Sequence, residues 1–235
     1  RFSFLGTRPR WVFSSLGRQV TITERGAQGR PSVRRLEAAD PLAELQARLQ
    51  GLHAPAVPEL PRFFGGLVGY LGYGTARFIE RLPAHRHDPL GVPDIHMMLA
   101  DTMVIFDHAT RRAWLVANVL TREQPLREGY DRAVRALEAM ARRLAQPCAA
   151  RPIWPIGATD GAAAGVRSNT SAAEFTRMVT AAKAHIRAGD VIQVVLSQRF
   201  ERPLRCAPLD VYRALRALNP SPYMFFLRFG DVALA

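Results

Sequence analysis

Hydrophobic and polar positions alternate with a period of two along several short runs of the chain, a pattern typical of β-strands. Near the N-terminus such runs are separated by glycine and proline, and they predict a β meander over residues 1–24. Further strands are predicted later in the chain, at residues 95–99, 103–106 and 114–119, and residues 107–111 are predicted to form a hairpin turn.

A glycine-rich and aromatic stretch, FFGGLVGYLGYG, occupies residues 63–74. It is followed by no GK[ST] and contains no GxGxxG at a strand-to-helix turn, so a phosphate loop is not indicated. We expect its glycines to let a strand bend and to allow two backbones to approach closely.

Apolar residues recur with helical spacing in four segments. Asp40 and Pro41 are a typical N-cap and first helical residue of a short helix. A second helix is predicted by a stripe of Tyr130, Ala133, Val134, Leu137, Ala141 and Leu144.

Ser171 and Glu174 have the spacing of a capping box and predict a third helix that ends at Gly189. Its predicted buried face consists of Phe175, Met178, Val179, Ala182 and Ile186. A fourth helix is predicted after Pro208, and Asn219-Pro220 ends it. Between the second and third helices, residues 147–168 are rich in Pro, Gly and Ala without periodicity, and predict a linker between two lobes.

The run VIQVVLSQRF, residues 191–200, predicts a strand with one core-facing side formed by Ile192, Val194, Leu196 and Phe200. Gln193 lies on the other side among apolar residues. A buried amide there needs a hydrogen-bond partner, either from a neighbouring strand or from a ligand.

The run LNPSPYMFFL, residues 218–227, contains Pro220 and Pro222 and then a strongly apolar stretch. Proline removes an N–H donor, so the strand predicted over residues 223–229 begins at an edge or a corner. A plain turn does not require so many apolar residues, and this excess makes the corner a candidate binding surface.

Composition limits the classes of protein that fit. The chain has 235 residues with 48% hydrophobic content, enough for one large or two small globular domains, and it has no apolar run of membrane-spanning length. Cys148 and Cys206 lack the spacing of a disulfide scaffold or a zinc site, which favours a reducing, cytoplasmic compartment. The chain starts without Met inside a predicted strand and stops in another, so we expect a segment of a longer protein.

The formal net charge of +12 raises the question of nucleic-acid binding. The arginines, however, are spread singly without an aromatic-interleaved basic stripe, which argues against it. The sequence also shows no Ser-His-Asp order, no HExxH, no CxxC and no close carboxylate pair. His85 and His87 are expected at the surface, and His96, His108 and His185 are isolated. The residues alone therefore predict an α+β architecture and leave the reaction open.

Three stretches taken together resemble the chorismate-utilising enzymes, and within them anthranilate synthase component I: residues 1–6 (RFSFLG), 188–200 (AGDVIQVVLSQRF) and 219–227 (NPSPYMFFL). The glycine-aromatic stretch also matches. The resemblance implies an α+β fold in which antiparallel sheets form a sandwich-like core with flanking helices. It implies an N-terminal region over residues 1–146, the linker over 147–168, and the start of the chorismate-binding catalytic region over 169–235.

The resemblance further implies a cytoplasmic lyase that converts chorismate and ammonia to anthranilate and pyruvate in tryptophan biosynthesis. Mg²⁺ would be the cofactor, and a glutamine amidotransferase (glutaminase) partner would supply the ammonia. Most catalytic residues and the magnesium ligands would lie beyond this chain, so we expect no activity from it alone and no metal site within it.

Five residues receive roles from the resemblance. Gln193 matches the position at which water-adding relatives have a lysine as general base, and an amide there suits ammonia as the nucleophile. Pro222, Tyr223 and Met224 match the family's feedback site for L-tryptophan. Arg1 lies near the position at which the first lobe of that site contributes a basic residue.

Two alternatives stay open. Aminodeoxychorismate synthase component I, which adds the amine at C4, more often has Asn-Pro-Ala-Pro-Phe at the corner, where this chain has Ser221 and Tyr223. A non-catalytic amino-acid-sensing module is the second alternative. The sequence beyond residue 235 would separate the three.

Overall fold

The fold is described from a computed structural model that covers residues 1–26, 30–82, 90–123, 125–148 and 165–235. The chain divides into two compact units, Arg1–Ala149 and Ala150–Ala235, which are described separately. In neither unit do the described residues include a helix with the length and apolar character needed to cross a membrane.

The first unit consists mainly of antiparallel strands. Its helices are α1 (Pro41–Leu49) and α2 (Leu126–Leu144), together with a short 3-10 helix at Tyr73–Phe78. Its strands are β1 (Phe2–Gly6), β2 (Trp11–Leu16), β3 (Gln19–Arg25), β4 (Pro31–Glu37), β5 (Gly66–Leu71), β6 (Ile95–Ala100), β7 (Thr102–Asp107) and β8 (Arg112–Ala117).

These strands form a five-stranded sheet of order β4-β3-β2-β6-β5 and a three-stranded sheet of order β1-β7-β8. The predicted meander over residues 1–24 is therefore wrong in its first member, because β1 pairs with β7, with Phe2 opposite Asp107. Alternation identifies a strand but does not name its partner, and the turn between β1 and β2 contains Arg8 in a left-handed conformation. The strand β4 was not predicted.

Alternation does identify the core of the five-stranded sheet. Phe13 and Ile22 face each other on β2 and β3, and both side chains are completely buried. They pack with Trp11, Val20, Ile95, Leu99 and Leu45, and Leu45 is contributed by α1. The helix begins as predicted, since the Asp40 carboxylate accepts hydrogen bonds from the Leu42 and Ala43 N–H groups at 2.9 and 3.2 Å.

The glycine-aromatic stretch forms β5, and its glycines allow the close backbone approach predicted for them. Gly69 lies opposite Met97 of β6. A methyl group at Gly69 would overlap the His96 carbonyl oxygen and would stand only 2.7 Å from the Met97 Cα. A side chain at this position is therefore excluded by backbone atoms.

The predicted stripe of the second helix is only partly buried. The centre of α2 packs beside β8, and Ala133, Val134 and Leu137 are half-buried. Tyr130 and Leu144, at the two ends of the stripe, are 60% and 47% exposed. Beyond this helix the predicted linker over residues 147–168 falls almost entirely outside the described residues, and the boundary of the lobes stays a prediction. His85 and His87 also lie outside them.

The second unit contains two helices and two short two-stranded sheets. Its elements are β9 (Arg167–Ser168), α3 (Ala172–Ala188), β10 (Phe200–Glu201), α4 (Pro208–Leu218), β11 (Leu227–Phe229) and β12 (Val232–Leu234). The capping box of α3 is confirmed, and Gly189 ends the helix with φ +82°. Its predicted buried face is only partly confirmed. Phe175, Val179 and Ala182 are half-buried, but Met178 is 37% and Ile186 42% exposed, and no residue of α3 is fully buried.

The strand predicted over residues 191–200 is also wrong apart from its last residue. Residues 191–199 have no strand conformation, Ile192 is fully exposed, and Val194 and Phe200 are 40% and 62% exposed. A strand requires a hydrogen-bonded neighbour, and in the described part of the chain no strand pairs with this segment. Without such a neighbour, the apolar pattern alone does not produce a strand.

Candidate functional site

The proline corner lies at the C-terminal end of α4. The Asn219 N–H donates to the Leu215 carbonyl oxygen at 2.9 Å, and the helix ends there as predicted. Pro222 and Tyr223 then form a turn. The strand does not begin at Tyr223 as predicted, because β11 begins only at Leu227. The strand predicted over residues 223–229 is thus confirmed only in its second half, while the corner itself is confirmed.

Side chains divide the corner into a packed part and a solvent-facing part. The Phe226 ring packs against Tyr212 of α4 with centroids 5.7 Å apart. Tyr223 is 97% exposed, Pro222 is exposed, and Met224 is half-buried. The corner therefore presents a rigid proline, a flexible thioether and an aromatic ring next to one another, which is the kind of surface that suits a flat apolar ligand.

Gln193 lies in the same unit, in the segment without regular structure. Its side chain is exposed, so the expected burial among apolar neighbours is wrong. The end of this segment is held through Asn169, whose side-chain oxygen accepts a hydrogen bond from the Arg199 N–H at 2.8 Å. The position of Gln193 relative to a substrate stays a prediction.

Arg1 belongs to the first unit, where it pairs with Asp107 at the ends of β1 and β7. Its Nη2 donates to Asp107 Oδ2 at 2.9 Å, and its Nε lies 3.3 Å from both carboxylate oxygens. The Asp107 side chain is 1% exposed and also accepts hydrogen bonds from the N–H groups of Ala109 and Thr110. These donors, Arg1 first, hold the pKa of Asp107 well below its usual range.

We expect Asp107→Asn to lower the melting temperature by about 5 °C or more at pH 7, because the amide cannot accept the same charge-assisted bonds. Since the pKa of Asp107 is lower in the folded than in the unfolded chain, its stabilisation is present above about pH 4 and declines as the pH falls further. The difference between variant and parent should therefore shrink at pH 3 in thermal scans.

The matched control is Asp131→Asn, which removes an exposed ion pair with Arg127 within α2. This pair should contribute little at any pH. An equal loss of melting temperature from both variants would contradict the assigned role of Asp107.

One feature of the first unit was missed by the sequence interpretation. A cavity of about 270 Å³ lies beside α2 and is lined by arginines from the turn before β2, from the end of β3 and from α2. The signal in the sequence was the spacing of Arg132, Ala133, Ala136 and Arg143, which places small residues between two arginines on one helix face. The interpretation followed the apolar stripe instead.

Metal-binding residues do not cluster in the described ranges. No three side chains of His, Cys, Asp or Glu come together there in the manner of a metal site. His185 pairs with Asp190 at 2.8 Å on the exposed end of α3, and His108 contacts the Ser3 hydroxyl at 2.7 Å. Cys148 and Cys206 are both free and exposed. The described residues therefore do not provide a ligand set that fits magnesium.

Comparison with known proteins decides the family. A family model described as chorismate binding enzyme matches residues 4–235. The chain belongs to this family. Anthranilate synthase component 1 of Streptomyces coelicolor is 46% identical over 196 residues, which cover 81% of this chain and 37% of that protein. The same protein of Pseudomonas aeruginosa is 39% identical over 236 residues, covering 98% of this chain and 46% of that protein.

The fold of this family member also has a solved counterpart. The crystal structure of anthranilate synthase component I from Streptococcus pneumoniae matches with a TM-score of 0.75 and 26% identity, over 99% of this chain and 49% of that one. The predicted α+β class with antiparallel sheets and the resemblance to anthranilate synthase component I are thereby confirmed. The chain spans less than half of the length of each of these relatives.

Proposed function

We propose that this chain is part of the large component of an anthranilate synthase, which converts chorismate and ammonia to anthranilate, pyruvate and water. The observation that carries the proposal is the match of almost the whole chain to proteins named anthranilate synthase component 1, at up to 46% identity. The family description, chorismate binding enzyme, supports the same substrate.

The proposed reaction places an amine at C2 of chorismate while the C4 hydroxyl leaves, after which loss of pyruvate makes the ring aromatic. Gln193 is proposed near the attacking nucleophile. An uncharged amide cannot act as a general base. Ammonia does not need one, because it is already nucleophilic. The amide oxygen can instead accept a hydrogen bond from ammonia and so orient it.

Pro222, Tyr223 and Met224 are proposed to bind L-tryptophan as a feedback inhibitor. Support comes from the corner itself, where a proline ring and a thioether can contact the two faces of an indole. Arg1 is proposed as an additional contact for the amino acid. Its Nε and one N–H of Nη2 already donate to Asp107, so the two N–H groups of Nη1 and the second N–H of Nη2 are the donors that could face a ligand.

The rest of the assignment concerns the complete protein. We propose that it uses Mg²⁺, held by residues of the family that this chain does not contain, and that it acts in the cytoplasm. Ammonia would come from a glutamine amidotransferase partner, which accords with the word component in the names of the relatives. The chain of 235 residues is proposed to be inactive by itself.

The test is an assay of the complete protein, extended to the length of its relatives, with chorismate, Mg²⁺ and ammonium. We expect the fluorescence of anthranilate to appear, and no product from the 235-residue chain under the same conditions. The matched control omits ammonium, because without the nucleophile no amine can be added.

Two other products would overturn the proposal. Formation of aminodeoxychorismate would assign the protein to the amine transfer at C4, and formation of isochorismate would assign it to water addition. If neither product nor anthranilate formed but L-tryptophan bound, the non-catalytic sensing module would be the better assignment.

A further inference from the structure

The cavity beside α2 has an unusual charge balance for its size. Within about 270 Å³ it is lined by five arginines, namely Arg8, Arg10, Arg25, Arg132 and Arg143, and by the single carboxylate of Asp101. Nearby, Glu123 accepts a hydrogen bond from Arg10 Nε at 3.0 Å and so pairs with one of the five. The positive charges therefore outnumber the negative ones around this cavity.

Two of these arginines stand next to each other, one just before β2 and the other at the end of β3. The register that pairs Trp11 with Glu24 places Arg10 opposite Arg25, and the Arg25 N–H donates to the Arg10 carbonyl oxygen at 2.9 Å. Like charges directly opposite in an antiparallel pair are destabilising. Partial burial lowers the pKa of Arg25. The Asp101 carboxylate opposes this change, whereas Arg8 and Arg10 act in the lowering direction.

The backbone conformation of Arg8 is a second unfavourable feature of this region. Its φ of +57° lies in the left-handed region, which a residue with a branched or long side chain rarely adopts. Strained residues of this kind are found disproportionately at sites that hold ligands. Here the strain directs the chain from β1 into β2 at the wall of the cavity.

The lining also includes one face of α2, which contributes the small residues Gly129, Ala133 and Ala136 and the longer side chain of Met140. Arg132 and Arg143 lie on the same face, about 16 Å apart along the helix axis. A ligand that contacts the small residues between them could thus meet at least one guanidinium of this helix.

We propose that this cavity binds a small anion with at least two negative charges, in carboxylate or phosphate groups. Guanidinium groups pair with both kinds of group through two parallel hydrogen bonds, and several of them around one cavity select a multiply charged ligand over chloride. The volume, equal to that of roughly nine water molecules, accommodates a small metabolite. Its lining includes none of the residues of the proposed tryptophan corner, and it does not depend on the proposed reaction.

The proposal is tested by isothermal titration of the protein with pyrophosphate and with citrate at constant ionic strength, with chloride as the reference salt. We expect one site with a Kd below about 1 mM for at least one of them. Pyrophosphate tests for recognition of phosphate groups, and citrate tests for recognition of carboxylate groups. The double variant Arg132→Gln with Arg143→Gln should weaken binding about tenfold or more, because both charges are lost from an exposed helix face without a change in packing.

Two further variants separate a built site from general attraction. Arg135→Gln removes the same charge from the same helix, but Arg135 does not line the cavity, so binding should be unchanged. Asp101→Asn removes the opposing carboxylate and should tighten binding. The proposal would be overturned if neither anion bound at 10 mM, which is about ten times the expected limit. It would also be overturned if Arg135→Gln weakened binding as much as the double variant does. A third contrary result would be tighter and strongly salt-dependent binding of an RNA oligonucleotide.

Discussion

Replacing Gly69 with alanine is expected to lower the free energy of unfolding of the first unit by about 3 kcal/mol or more. The added methyl group would overlap the carbonyl oxygen of His96 and crowd the Cα of Met97, and both are backbone atoms of β6, an interior strand of the sheet. Side-chain neighbours could rotate away, but backbone atoms within a sheet can move only if the strand pairing is disturbed. Denaturant unfolding followed by tryptophan fluorescence measures the effect, since Trp11 is buried in the same sheet.

The control for this variant is Gly6→Ala at the end of β1. There the nearest atoms to an added methyl group are 3.8 and 3.9 Å away, which is ordinary van der Waals contact. The change should therefore be close to neutral, or stabilising by up to about 1 kcal/mol, because alanine reduces the freedom of the unfolded chain. If Gly69→Ala behaved like Gly6→Ala, the close pairing of β5 and β6 would be refuted.

In the complete protein, Met224→Thr is expected to raise the tryptophan concentration needed for half-inhibition by about tenfold or more, while activity without tryptophan is largely kept. The expectation rests on the proposed feedback site. A thioether that contacts the indole ring contributes apolar area and a sulfur-aromatic contact, and threonine supplies neither in full. The measurement is the anthranilate assay repeated over a range of L-tryptophan concentrations.

The same replacement elsewhere serves as the control. Met178→Thr changes a methionine of α3 that is 37% exposed and is not part of the corner. Its effect on tryptophan inhibition should be small. Unchanged inhibition in Met224→Thr would show that the feedback site had been assigned to the wrong residues, without affecting the assignment of the reaction.

Local features of the fold could be predicted where a few neighbouring residues determine them. Asp40 caps α1, Ser171 and Glu174 form the capping box of α3, and Gly189 ends that helix. Each of these depends on hydrogen bonds within about four residues, so no knowledge of the rest of the chain is needed. The buried positions of β2 and β3 could be predicted for a related reason, because alternation places one face of a strand in the core.

Features that depend on distant partners could not be predicted. β1 has the same alternation as β2, yet it pairs with β7, about a hundred residues away. Residues 191–199 have a stronger strand pattern than β4, but in the described chain no strand pairs with them, and Ile192 is fully exposed. In both cases the missing information is the identity of the partner, which alternation does not contain.

The candidate site divides in the same way. The amino-acid sequence alone determined the corner, since two prolines and the end of α4 restrict the backbone locally, and its motifs led to the family. Only the tertiary structure decided that Arg1 pairs with the buried Asp107, and that arginines from a turn, from β3 and from α2 surround one cavity. Local restriction acts through neighbouring bonds, whereas a cavity or a buried ion pair exists only after distant segments have packed together.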